Sequence, residues 1–410
     1  MSQSFWGRNV TLSDYVELNP RVTLLRGANV PFVSMDIISP GTRKVYPVQE
    51  RPASGSGSKF GPGDTLFARI TPCLENGKIA QYAGDRAGMG STEFFVLRAR
   101  DDISDPAFVY YFSQNPDLRS AAEKSMSGAS GRQRAVISSL SEFECEFPPL
   151  AIQKRISGIL STYDELIEKS QRRIKILEDM ARGLYREWFV HFRFPGHENH
   201  PRVASALGEI PQGWEGVAFT ELADVLSGGT PKTDIPEYWS GEIPFFTPKD
   251  APSCFYVEDT ERHVTELGIS KCASALYQPD TVFITARGTV GKVAMPSVPM
   301  AMSQSCYALR GKQGITQRFI FLMTVQQVDY LKTNTGGATF DTIVVDTFRR
   351  MKVVKPPYNL IASFSEKVDA LFEQVNVLQR QIQNLRSTRD LLLPRLLSGQ
   401  IDVNQMEPIQ

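Results

Sequence analysis

Residues 127–134 read Ser127-Gly128-Ala129-Ser130-Gly131-Arg132-Gln133-Arg134, two arginines flanking a glutamine on a glycine-opened loop. Arginine forks onto guanine or phosphate and glutamine pairs with adenine, so these side chains suit the reading of DNA bases. Arg69 and Lys78 add cations in the same half of the chain. The other half carries Gly228-Gly229-Thr230-Pro231-Lys232, Lys249, Arg287-Gly288-Thr289, Lys292, Ser303-Gln304-Ser305 and Thr339. Its glycines allow close backbone approach and its polar ends donate to phosphate. The expected DNA contacts are therefore Arg69, Lys78, Ser130, Arg132, Gln133 and Arg134 in the first half. In the second they are Gly228, Gly229, Thr230, Lys232, Lys249, Arg287, Lys292, Gln304 and Thr339. A solvated polar turn explains any one of these residues equally well, so the expectation rests on loops rather than on atoms.

Chemistry that cuts or modifies DNA needs other residues. Metal-dependent cleavage wants acidic ligands beside a lysine, commonly PD followed by [DE]-x-K, and no [DE]-x-K occurs in the chain. Pro279-Asp280 then reads as a turn shared with its repeat partner Gly63-Asp64. Amino-methyl transfer wants [DN]-P-P-[YF]; Phe147-Pro148-Pro149-Leu150 and Lys355-Pro356-Pro357-Tyr358 both lack the first residue. Each precedes a helical stretch, which suggests helix initiation. There is no G-x-x-x-x-G-K-[ST] phosphate loop, and the Gly-Ser run at 54–58 reads as a flexible surface loop. Four scattered histidines build no triad; His191, His197 and His200 fall in a solvated loop between a helix end and a Pro-flanked linker. Cys73, Cys145, Cys254, Cys272 and Cys306 are never spaced C-x-x-C and read as reduced, buried thiols. No catalytic centre, no cofactor and no metal are expected.

The elements that would position the loops come from a duplication. Val30-Pro31-Phe32 is echoed by Ile243-Pro244-Phe245, Asp64-Thr65-Leu66-Phe67 by Asp280-Thr281-Val282-Phe283, and Gly77-Lys78-Ile79-Ala80 by Gly291-Lys292-Val293-Ala294. Gly128-Ala129-Ser130 pairs with Gly337-Ala338-Thr339, and Pro148-Pro149 with Pro356-Pro357. After each Pro-Pro runs a heptad seam: Ile156, Leu160, Tyr163, Ile167, Ser170, Ile174, Leu177, Ala181, Leu184 and Trp188, then Phe364, Val368, Leu371, Val375, Leu378, Ile382, Leu385, Arg389 and Leu392 at one constant displacement. Two matched seams favour pairing with each other as a coiled coil, the alternative being that each helix packs on its own domain. Arg389 departs from the pattern and calls for a nearby acid or a splayed helix end. Short β-favouring runs such as Phe94-Phe95-Val96-Leu97 fill the remainder.

The fold class expected is α+β: two mixed α/β target-recognition domains related by pseudo-twofold symmetry, separated by two long antiparallel coiled-coil helices. The boundaries are 1–148 for the first domain, 149–190 for the central helix and 191–212 for a linker. The second domain covers 213–355, the C-terminal helix 356–400 and a tail 401–410. Lys and Arg number 45, as do Asp and Glu, so the formal net charge is zero. A lone DNA binder carries a basic surplus, and the balance points to binding within an assembly. No signal peptide or membrane span is readable, and a cytoplasmic protein is expected.

These motifs carry a resemblance. LSGGTPKTDIPEYWSGEIPFFTPKD (226–250), GDTLFARITPCLENGKIA (63–80), SGASGRQRAVISSLSEFECEFPPLAIQKRI (127–156), LYREWFVHFRFPG (184–196) and LLLPRLLSGQID (391–402) resemble the specificity subunits of type I restriction-modification enzymes. The resemblance implies a non-catalytic subunit that reads a bipartite target in double-stranded DNA, one half per domain, with the helices setting the distance. It also implies two methyltransferase subunits docked on the helical regions, restriction/translocase subunits in the larger complex, and no membrane. Two readings compete: a solitary DNA methyltransferase with degenerate motifs, which cofactor binding by the isolated chain would reveal, and a coiled-coil scaffold with no nucleic-acid role.

Overall fold

The structure is a computed structural model and describes residues 9–128, 132–334 and 342–403. It divides into two compact units, Met1–Glu168 with Gln383–Gln410, and Lys169–Ile382. Each long helix therefore begins in one unit and ends in the other.

In the first unit a five-stranded sheet runs in the lateral order Val16–Leu18, Phe94–Ala99, Thr65–Ala68, Ile79–Tyr82, Lys44–Val45. Its neighbours pair antiparallel except for the last, parallel pair. Alternate side chains of a strand face opposite ways. Phe94 and Val96 join Leu66, Ala80 and Tyr82 in one core, while Phe95 and Leu97 join Phe67, Phe108 and Phe112 in another. Phe94-Phe95-Val96-Leu97 is continuously apolar because both faces of the sheet are covered. A second sheet of four strands orders Gln49–Pro52, Asn29–Val33, Gly88–Gly90 and Ser58–Phe60. The Gly-Ser run read as a loop thus ends in a strand.

The second unit repeats the plan: Ala223–Ser227, Cys306–Gly311, Val282–Thr285, Val293–Pro296, Tyr256–Val257, again with a parallel last pair. Its small sheet has three strands, His263–Val264, Ile243–Phe246 and Ala301–Met302. The pairings equate Phe32 with Phe245 and Ile79 with Val293, as the sequence echoes expect. They correct one echo. Ala68 pairs with Phe94 as Thr285 pairs with Cys306, which makes Leu66, not Phe67, the counterpart of Phe283. Gly63 and Asp280 are then equivalent. Both have positive φ, 85° and 65°, and both donate their N–H to the matching strand carbonyl, of Tyr82 and of Pro296. The turn is real, but Asp64 answers to Thr281. A one-residue slip would exchange the two faces of a strand, and the cores place Leu66 and Phe283 on the same face.

Each Pro-Pro starts a helix. Pro149 O accepts from Gln153 N–H and Pro357 O from Ile361 N–H. The first long helix is Leu150–Tyr185, continued by a π-turn at Arg186–Val190, and the second is Tyr358–Leu397. Ile156, Leu160, Ile167, Ser170, Ile174, Ala181 and Trp188 are buried along the first seam, and Phe364, Val368, Val375, Leu378, Ile382 and Arg389 along the second. Within the first unit, Ile156 and Leu160 share a core with Leu396 and Leu397. Within the second, Tyr185, Trp188 and Phe189 meet Phe364 at 6.0, 5.6 and 4.9 Å between ring centroids. In both units the start of one helix lies by the end of the other, so the pairing is antiparallel. The same side chains also enter the cores of the sheet domains, so the two alternatives for the seams coexist.

Arg389 meets two acids: Asp164, 2.5 Å from Nη1, and its chain neighbour Asp390, 2.9 Å from Nε and from Nη2. Residues 191–212 include a two-stranded hairpin, Arg202–Ser205 with Gly208–Pro211. His197 and His200 there bond to the carbonyls of Phe194 and Gln212, both at 2.8 Å, so the loop is pinned rather than free. All five cysteines are free thiols, with Cys306 buried and the others half-buried. Burial pushes the thiols of Cys145 and Cys306 up to about 12.

Candidate nucleic-acid interface

In the second unit, Ser227, Thr285 and Cys306 lie at one end of the large sheet, since Ser227 pairs with Tyr307 and Thr285 with Cys306. The segments 228–232, 286–292 and 303–305 leave from that end. Ser303 N–H donates to Phe246 O at 2.8 Å, which brings 247–250 to the same place. Gln304 N–H donates to Thr230 Oγ1 at 3.4 Å, and Ala286 N–H to Ser305 O at 2.8 Å. Four segments distant in sequence thus gather Thr230, Lys232, Lys249, Arg287, Lys292 and Gln304, all exposed except half-buried Thr230. Gly228 and Gly229 belong to this end for another reason than the one expected. Both are buried, and a Cβ would meet Ser303 O at 2.1 Å or Ala273 N at 2.4 Å. Their close approach is to the chain's own backbone, so they shape the turn and are not a surface for phosphate.

In the first unit the equivalent end is bounded by Leu18, Ala68 and Phe94. Arg69 N–H donates to Glu93 O at 3.0 Å, and Ala135 N–H to Arg69 O at 2.8 Å, which docks the arginine-rich loop on the strand ends. Gln133 and Thr71 exchange bonds, Gln133 N–H to Thr71 Oγ1 and Thr71 N–H to Gln133 O, each 3.0 Å. The side chains of Arg132 and Gln133 are exposed. Arg134 lies on Glu93, with Nε 3.0 Å from both carboxylate oxygens and Nη2 2.7 Å from one. Lys78 Nζ donates to Met35 O at 2.8 Å. Beside it the Asp36 carboxyl is held below its usual value by the Ser34 hydroxyl first, with Lys78 and Arg51 adding to the effect. Two expected contacts, Arg134 and Lys78, thus also bond within the chain, Arg134 through one edge of a guanidinium that stays exposed. Ser130 and Thr339 lie outside the described residues, and with them all of the Gly128-Ala129-Ser130 and Gly337-Ala338-Thr339 echo except Gly128.

Sequence reasoning missed a groove. An open channel of about 600 Å³ runs past Asn19–Leu24, Gly57–Lys59, Arg69 and Thr92. Arg21, Lys59 and Arg69 line it, and no acid is among its described lining residues. Such a channel suits a phosphate backbone. Asn19 starts it by leaving its strand at φ 50°, its side-chain carbonyl accepting Val96 N–H at 3.0 Å. The only sequence signal was the turn Asn19-Pro20-Arg21 itself. Among the described residues, no group of three His, Cys, Asp or Glu could hold a metal ion, and no helix is long and apolar enough to cross a membrane. Both Pro-Pro pairs are occupied in starting helices.

Several known proteins resemble this chain. The family model described as type I restriction modification DNA specificity domain matches residues 73–178 and again 211–384, once in each half of the chain. The specificity subunit of the type I restriction enzyme HindI from Haemophilus influenzae is 24% identical over 401 residues, covering 83% of this chain and 86% of its own. The putative MjaX specificity subunit from Methanocaldococcus jannaschii is 23% identical over 352 residues, covering 83% and 79%. In fold, the chain is similar to the crystal structure of the type I restriction-modification S subunit from M. genitalium, with a TM-score of 0.54, 16% identity and 97% of both chains covered. With two matches spanning most of its length on a duplicated α/β framework, the chain belongs to the type I restriction-modification DNA specificity family, whose members recognise DNA and leave catalysis to other subunits.

Proposed function

We propose that this chain reads a bipartite target in double-stranded DNA, each unit presenting the loop-bearing end of its large sheet to one half-target. The observation that carries the reading is the equivalence of the two ends. Topologically matched sheets gather unrelated polar and basic side chains at the same place, as a duplicated reader with two specificities requires. The long helices have 36 and 40 residues, about 54 and 60 Å at 1.5 Å per residue, and set the spacing between half-targets. Two methyltransferase subunits dock on the helical regions, and restriction/translocase subunits join them in the cytoplasm. The zero net charge fits a chain whose partners share the work of neutralising phosphate.

The test is a chimera in which residues 9–148 come from another family member, assembled with the cognate methyltransferase subunits. Mapping the methylated motif should show one half-target replaced and the other kept. An active chimera that changes both halves, or neither, would refute independent reading. A heptad inserted between Ser170 and Ile174 adds about 10 Å and should lengthen the unread spacer by up to about three base pairs with both halves unchanged.

A further inference from the structure

One carboxylate stands among the arginines at the loop-bearing end of the first sheet. Glu93 receives the Nε and Nη2 edge of Arg134, and Arg69 Nε lies 3.9 Å from its other oxygen. That Arg69 Nε is buried without a hydrogen-bond partner, its guanidinium 5.0 Å from the centre of the Phe95 ring. Arg134 is 44% exposed and Glu93 only 19%, so the acid sits beneath the arginine. Among the described residues Arg134 Nη1 takes no hydrogen bond. An exposed ion pair returns little folding stability, yet side chains from three separate segments converge here. In the second unit the backbone bonds Ala286 N–H to Ser305 O and Ile343 N–H to Ala286 O repeat those of Arg69, Glu93 and Ala135. The three matching positions there are Ala286, Ser305 and Thr342. The scaffold holds without the triad, so the triad serves something other than folding.

Resting on the reading that this end of the sheet faces DNA, we propose that Glu93 is a specificity-positioning residue for a G·C pair in the first unit's half-target. Its carboxylate fixes Arg134 in one pose, with Nη1 and the free edge of Nη2 available to guanine O6 and N7. Preorganisation removes the ordering cost of a flexible arginine. The same negative charge opposes any duplex that offers phosphates but no guanine at that position, so discrimination comes from repulsion as well as attraction.

The experiment uses the full chain assembled with its methyltransferase subunits, carrying Glu93→Gln, Glu93→Asp, Arg134→Ala or Lys59→Ala. Dissociation constants are measured by fluorescence anisotropy on the mapped target, on its single-base variants and on unrelated duplex, with unfolding curves as the folding control. Glu93→Gln should tighten unrelated duplex several-fold and lose about tenfold of discrimination at one G·C pair of one half-target. Glu93→Asp should restore much of it, and Arg134→Ala should relax the same pair. Lys59→Ala should weaken all duplexes alike. If Lys59→Ala weakens binding while Glu93→Gln leaves every discrimination ratio unchanged, or relaxes an A·T pair instead, the proposal is overturned and the DNA face stands. If Lys59→Ala and Arg134→Ala both leave binding intact, this end is not the DNA face and the proposal falls with that reading.

Discussion

The two units close their helix seams with opposite chemistry on one backbone plan. In the first, Asp164 accepts from Arg389 Nη1 and from the Tyr111 hydroxyl, both at 2.5 Å. Arg389 also reaches Gly41 O at 3.0 Å, and Arg43 bonds to Gln81, Tyr111 and Ser161. At the constant displacement along the helices, the second unit has Phe372 and Ala181 in place of Asp164 and Arg389. By strand register it has Phe255 in place of Arg43. There Phe255, Phe321 and Phe372 pack at centroid distances of 4.7, 4.8 and 5.8 Å. The seam does not require charge; it requires that whatever is buried be satisfied. The ionic version is fragile in a way the aromatic one is not, because losing Asp164 leaves the buried guanidinium only the exposed carboxylate of Asp390.

That difference sets the largest expected effect. Asp164→Ala leaves a guanidinium only 8% exposed with the outlying carboxylate of Asp390, itself 62% exposed, as its remaining acid and should cost about 3–4 kcal/mol, read as a lowered urea midpoint for the first unit. Replacing Asp164 and Arg389 together by leucine should recover most of that loss. A double variant as unstable as Asp164→Ala alone would show that the polar network, and not just charge balance, holds the helices. In the second unit Phe372→Ala should cost a comparable or somewhat smaller amount, about 3 kcal/mol, and act as a packing defect with no rescue by charge.

The turns at the proposed interface give the next step down. Gly228→Ala drives a Cβ to 2.1 Å from Ser303 O and should destabilise the second unit by about 1–3 kcal/mol. The first unit leaves its strand through Asn19 instead, so Asn19→Gly should be tolerated better. Equal losses at both positions would mean that the turns are not built differently. Smaller again is Lys249→Ala, which removes one exposed cation of the second unit's proposed DNA face. It should weaken all duplexes uniformly and flatten the dependence of log Kd on log salt by about 0.9. A sequence-selective loss would make Lys249 a base reader.

Much of this is legible in the sequence. The heptad spacing carried the two helices, the Pro-Pro pairs their starts, and the ordered echoes the duplication, because each rests on local periodicity or turn chemistry. The misplaced echo shows where that stops. Pro62-Gly63 and Pro279-Asp280 make the same left-handed turn, since aspartate tolerates the conformation that glycine adopts freely, and aligning Asp64 with Asp280 hides a one-residue deletion. The groove of Arg21, Lys59 and Arg69 was illegible for another reason. Its residues come from three segments that only the sheet brings together, and Lys59 was masked by the preceding Gly-Ser run. Gly57 closes there because a Cβ would meet Gly90 O at 2.7 Å, a tertiary fact with no local signature. The partner of Arg389 was legible only as a need.

The smallest effect concerns Glu178, on the first long helix in the second unit, where the corresponding position of the second helix is Arg386. Its carboxylate is 5% exposed and accepts Phe255 N–H at 2.7 Å, with Arg182 Nη2 at 3.2 Å. Burial raises its pKa, and the Phe255 and Arg182 contacts offset only part of that. A folded-state value above the unfolded one means that the folded chain binds more protons in the window between them. Glu178 therefore contributes most to stability below the ordinary carboxylate value, and that contribution is lost as pH rises through the raised folded value. Glutamine keeps an acceptor for Phe255 N–H and cannot ionise, at the expense of an Arg182 pair worth about 0–1 kcal/mol. Relative to wild type, Glu178→Gln should thus fare best near neutral pH and lose ground on acidification toward about pH 4, as read from urea midpoints of both proteins at the two pH values. The opposite trend, with the variant weakest at neutral pH, would mean that Arg182 and the Phe255 amide outweigh burial and that the second unit, like the first, relies on a buried charge.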